Sequence, residues 1–90
     1  MYVNIGGDIS VPAGSVSLIV NLETVLPSNR AVTELIETED ENNRLQYLTE
    51  DIPRTFILTD SRSYISSISS GVLQRRLENS LSNNVKTGKK

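Results

Sequence analysis

Two stretches of the chain read as strands from their apolar runs alone. Residues 54–60 place Phe56, Ile57 and Leu58 in a row between polar ends, the pattern of a strand covered on both faces. Residues 16–22, VSLIVNL, are β-branched and apolar, with Ile19 and Val20 expected to be buried. Tyr2-Val3-Asn4-Ile5 alternates toward Gly6-Gly7-Asp8, and Ile9-Ser10-Val11 leaves on the other side. The glycine pair supplies the positive φ angles that a tight hairpin turn demands. Pro12-Ala13-Gly14 predicts a second turn. Asp60-Ser61-Arg62-Ser63 predicts another, since Asp and Ser side chains bond nearby backbone groups. Residues 64–68 then return as the second strand of a hairpin. Residues 45–48 form a short strand or turn, and Pro53 keeps Ile52 extended before the central strand.

Helical spacing appears twice. After Pro27-Ser28-Asn29, with Ser28 the favoured N-cap, Ala31, Val32, Leu35 and Ile36 form a stripe that should pack on the sheet. The pattern is lost by Glu39, in an acidic run expected to be solvated. Val72, Leu73, Leu77 and Leu81 form the second stripe, opened by Ser69 or Ser70 as N-cap. The predicted fold class is therefore α+β: a small, mostly antiparallel five-strand sheet with one helix after the third strand and one at the C-terminus, in the order β-β-β-α-β-β-α. Residues 1–81 make one domain, and 82–90 read as a flexible polar and basic tail.

Composition narrows the chemistry. The 90 residues include no cysteine and no histidine, which removes disulfides, thiolate metal sites and the commonest general base. Serines are abundant, but a nucleophilic serine needs a base, and the lysines sit only in the tail. Their expected places are turns, an exposed strand face and a helix cap. Five acids at Glu34, Glu37, Glu39, Asp40 and Glu41 lack the glycine and the alternating oxygen spacing of a calcium loop. Residues 6–8 lack the downstream Gly-Lys-Ser/Thr of a phosphate loop. The expectation is a protein that is not an enzyme and uses no cofactor or metal.

Charge leaves binding as the open question. The net charge is −2, and seven of the eleven acids fall in residues 34–51. Four arginines, Arg54, Arg62, Arg75 and Arg76, fall in the β-β-α unit of residues 54–77, where strand, turn and helix could present them together to phosphates. Apolar content of 37% is low for a self-sufficient core, and small domains of this kind gain stability by assembling. A homo-oligomer is expected. No apolar run has the length of a membrane span, and no signal peptide is visible, so the expected location is cytoplasmic.

The runs TDSRSYISSISSGVLQRRL and YVNIGGDISVPAGSVSLIV resemble the RemA/RemB family of bacterial extracellular-matrix regulators across roughly residues 1–80. The SYISSISS-x-x-LQRRL ending is closer to the RemB branch. The resemblance implies a DNA-binding transcriptional regulator of biofilm-matrix operons, working as a ring-like homo-oligomer. The family's DNA-facing basic positions fall here on Ser15, Asp51 and Ile52, and only the arginine that follows is retained, as Arg54. The alternative is a protein–protein module with no DNA contact of its own, acting on a basic paralogous regulator or another transcription factor.

Overall fold

The computed structural model describes residues 1–25 and 28–89, with backbone alone over residues 82–89. Pro27, part of the expected helix-start signal, lies outside the described residues. The fold is α+β with six strands, divided between a two-stranded and a four-stranded sheet. The single five-strand sheet expected from the sequence is thereby corrected: among the described residues, the strands of the N-terminal hairpin pair only with each other.

That hairpin comprises β1 (Tyr2–Gly6) and β2 (Ile9–Pro12), antiparallel, with an irregularity between Asn4 and Gly6. Gly6 has φ 142° and Gly7 φ 54°, so both glycines supply the backbone angles the turn needs. A short 3-10 turn over Ala13–Ser15 leads into β3 (Val16–Asn21). After α1 (Arg30–Glu41) come β4 (Leu45–Tyr47), β5 (Thr55–Thr59), β6 (Ser63–Ser66) and α2 (Ser70–Lys89). The large sheet has the order β3-β5-β6-β4, with β5 central and antiparallel to both neighbours, and β4 running parallel to β6. The backbone of α2 continues eight residues past Leu81, over residues that the sequence reads as tail.

Register assigns the faces. Ile19, Ile57 and Tyr64 stand opposite one another across β3, β5 and β6, and alternation sends Val20, Phe56 and Ile65 to the other face. Ile57 and Tyr64 join Val3, Ile5, Val11, Ala13 and Leu73 in one core cluster, so the hairpin and α2 cover that face together. Phe56 is fully buried and Ile65 nearly so, which makes β5 the doubly covered strand its apolar run predicts.

The helices differ from expectation in detail. The N-cap of α1 is Asn29, not Ser28; its side-chain oxygen accepts from the Val32 amide at 3.3 Å. Of the predicted stripe, Val32, Leu35 and Ile36 are half-buried and Ala31 is exposed, and α1 packs beside β4. The buried residue of α1 is Glu39, which the sequence places in a solvated run. Ser69 caps α2, accepting from the Val72 amide at 3.4 Å. In that helix Leu73 is buried, Val72 and Leu77 are half-buried, and Leu81 is 44% exposed.

Candidate functional site

Each of the four sequence-predicted arginines has a definite place. Arg54 precedes β5 and Arg62 follows it, so the strand's five residues hold them roughly 17 Å apart along the sheet. The backbone bonds mark their opposite ends: the Arg54 amide bonds Ser66 O at 2.9 Å, while Arg62 O accepts from the Thr59 amide at 2.9 Å across the hairpin turn. The Arg54 side chain lies 4.0 Å from Glu23, an exposed pairing of small energetic weight. Arg76 turns onto β1, donating to the Asn4 carbonyl at 3.0 Å and to Asn4 Oδ1 at 3.4 Å. Arg75 is exposed on α2. The four do not form a single face on the chain, because a whole strand separates the first two and Arg76 turns toward the hairpin.

The turn that carries Arg62 is held differently from its sequence signature. Thr59, not Asp60 or Ser61, clamps it: Thr59 Oγ1 donates to Arg62 O and accepts from the Arg62 amide at 3.1 Å. Asp60 and Ser61 thereby keep their side chains free at the surface. The β6 serines are also not on an exposed strand face. Ser63 and Ser66 are buried, and Ser66 Oγ donates to Ile5 O at 2.7 Å.

None of the positions where the family resemblance puts basic residues, Ser15, Asp51 and Ile52, carries a positive charge. Asp51 and Ile52 line an open groove of about 680 Å³ with Glu50, Arg54 and Ser67, and Ile52 is 78% exposed at its rim. Ser15 sits at a second cleft, of about 380 Å³, between the hairpin and the β5–β6 turn. Asp60 faces it there, its amide donating to Ser15 O at 3.1 Å. Among the described residues no lysine or arginine lines that cleft. Sequence reasoning missed this cleft because Asp60 and Ser61 read as turn residues, and Ser10 and Tyr64 as members of two separate hairpin strands. The signal available was a tyrosine, which when buried in a strand seeks a partner for its hydroxyl.

The sheet edges are the other exposed feature. Among the described residues β3 pairs with β5 on one side and with no strand on the other, and Leu18 near its centre is 40% exposed. Among the same residues no cluster of three or more Asp or Glu could hold a metal ion, and no helix is long and apolar enough to cross a membrane. No protein-family model matches the chain, and a search of curated proteins finds no match.

Proposed function

We propose that the chain is a cytoplasmic, non-enzymatic regulator of extracellular-matrix gene expression that works as a homo-oligomer and acts through contact with another protein. The regulatory role rests on the resemblance of residues 1–80 to the RemA/RemB family. The observation that supports the binding-module reading is the outer edge of β3, which among the described residues pairs with no strand and has Leu18 exposed beside it. A second copy is the occupant that also answers the sparse core, since assembly supplies the apolar burial a domain of this size lacks.

A DNA-binding regulator is the second reading, and one observation favours it. The Arg62 and Arg75 side chains make no hydrogen bond or ion pair among the described residues, so both are free for phosphates. Repetition around a ring would multiply such weak contacts along one duplex. Against it stand the separation of Arg54 from Arg62 and the acids at the groove beside Arg54.

Titrating duplex DNA against the protein over a range of salt distinguishes the two. The protein-partner reading expects no complex even at ~50 mM salt, where counterion release favours binding most. A complex whose affinity falls about 10³-fold or more by 200 mM salt reports several phosphate contacts and establishes the DNA reading instead. In that event R62A should flatten the salt slope by about one and weaken all sequences alike.

A further inference from the structure

The cleft between the hairpin and the β5–β6 turn is lined in part by Tyr64, whose ring packs in the core. Tyr64 is 8% exposed, and its ring belongs to the core cluster with Val3, Val11 and Leu73. Its hydroxyl makes no hydrogen bond among the described residues, and it is not sealed from solvent either. Tyr64 is among the residues that line the cleft. A buried tyrosine ordinarily finds a partner for its O–H, and phenylalanine would serve packing alone.

The rest of the lining converges on the same chemistry. Ser15 Oγ already donates to Pro12 O at 2.7 Å, so toward the cleft it offers lone pairs. Asp60 offers acceptors only, while Ser10 and Ser61 offer hydroxyls that donate or accept. Gly14 carries no side chain, leaving backbone approachable, and nothing lies within 4 Å of where its Cβ would stand. With an aspartate and no cationic side chain in this lining, an anionic ligand meets repulsion without compensation. A volume of about 380 Å³ is at the small end of the range for ligand sites.

We infer that this cleft binds a neutral, polyhydroxylated molecule of about monosaccharide size, whose hydroxyls donate to Asp60 and Ser15 and exchange hydrogen bonds with Tyr64 Oη. Because the cleft lies on the seam between the two sheets, such a ligand would tie the hairpin to the β5–β6 turn. The inference is independent of the regulatory reading, since it requires neither assembly nor DNA.

The test is a set of amide proton–nitrogen NMR titrations of the full chain with D-glucose, D-galactose and N-acetylglucosamine, and with glucose 6-phosphate as the anionic comparison. At least one neutral sugar should shift the amides of Gly14, Ser15, Asp60, Ser61 and Tyr64 saturably, with a dissociation constant in the millimolar range, about 1–10 mM. Y64F keeps the ring packing and should weaken that binding about fivefold or more. D60N, a change at an exposed position, should weaken it comparably and supplies the check if Y64F perturbs the spectrum globally. The inference is overturned if no neutral sugar gives a saturable shift by ~50 mM. It is also overturned if both variants bind as the wild type does, or if glucose 6-phosphate binds as well as glucose.

Discussion

Ser66 Oγ donates a 2.7 Å hydrogen bond to the carbonyl of Ile5, joining the large sheet to the hairpin across 61 residues of sequence. The same oxygen accepts from the Ile68 amide at 3.1 Å. Ser66 is 1% exposed and Ile5 2%, so the Ile5 carbonyl has no ready water as a substitute, while Ile68 is half-buried. One small side chain thus satisfies two backbone groups at the point where the sheets meet. It also sets the glycine at the hairpin turn: a Cβ on Gly6 would stand 3.0 Å from Ser66 Oγ, at a φ of 142° that side chains rarely adopt.

Replacing Ser66 by alanine leaves the buried Ile5 carbonyl unpaired and takes the Ile68 amide's partner away, at a cost of about 2 kcal/mol. For a domain of this size that corresponds to a fall in melting temperature of roughly 8–16 °C. Ser67, half-buried and without a side-chain hydrogen bond among the described residues, is the control; S67A should stay within about 0.5 kcal/mol of wild type. Thermal denaturation followed by circular dichroism measures both. Equal melting temperatures for the two variants would show that the Ser66 bonds carry no stability.

Glu39 provides a second comparison within one acidic run. Its Oε1 accepts from Arg44 Nε at 3.1 Å, while the Arg44 amide donates to Glu39 O at 2.9 Å, closing the turn from α1 into β4. Asn43, between them in the chain, adopts a left-handed φ of 59°, the usual device for ending a helix. The Glu39 side chain is 10% exposed and that of Arg44 37%, so solvent screens the pair in part. E39A should therefore cost about 1–2 kcal/mol, through lost packing and an unpaired arginine, whereas E37A and E41A should be close to neutral. Urea denaturation of the three variants tests this, and equal midpoints would return Glu39 to the solvated face.

Local chemistry makes several elements legible in the sequence. Gly6-Gly7 demands a hairpin turn, the FIL run demands a doubly covered strand, and Ser69 offers an oxygen to the first turn of α2. What stays hidden depends on partners far away in the chain. Ser63 and Ser66 fall on opposite faces of β6, where small polar residues suggest contact with water, and only the carbonyl of Ile5, 61 residues distant, gives the Ser66 hydroxyl its buried partner. The split into two sheets is equally hidden, because a strand's pattern says which face is apolar but not which neighbour it pairs with. Glu39 reads as solvated from its acidic neighbours, and the Arg44 that makes its burial tolerable lies beyond the helix end. The arginines are legible as residue types, but their separation is set by the length of β5 and its place at the centre of the sheet.

The start of α1 gives a third prediction. Asn29 Oδ1 accepts from the Val32 amide at 3.3 Å, and its carbonyl accepts from both the Thr33 amide and the Thr33 hydroxyl, at 3.2 and 3.1 Å. The first of these satisfies an amide that has no partner inside the helix. N29A should cost about 1 kcal/mol, and S28A, one residue outside the cap, only a few tenths. The order of the two melting temperatures decides between the caps, and a larger loss for S28A would assign the cap to Ser28.

Leu18 tests the assembly on which the proposed function depends. It is 40% exposed on β3, a strand with a single neighbour in the sheet among the described residues, so in an isolated subunit its replacement removes little buried surface. L18K should accordingly fold with a circular dichroism spectrum like that of wild type. If a second copy covers this edge, however, the substitution removes an apolar contact and places a charge in it. Losing the burial of one leucine at about 1.5 kcal/mol raises a dissociation constant roughly tenfold, and desolvating the lysine adds to that. A charged lysine on an edge strand is also a known device for preventing edge-to-edge pairing. Light scattering at micromolar concentration should give an oligomer for wild type and a shift toward the 9.9 kDa chain for L18K. L81K, at a comparably exposed leucine on α2, should leave the oligomer intact. Wild-type protein that scatters as a monomer removes the oligomer from the proposal, and dissociation by L81K rather than L18K moves the interface from the sheet edge to the helix.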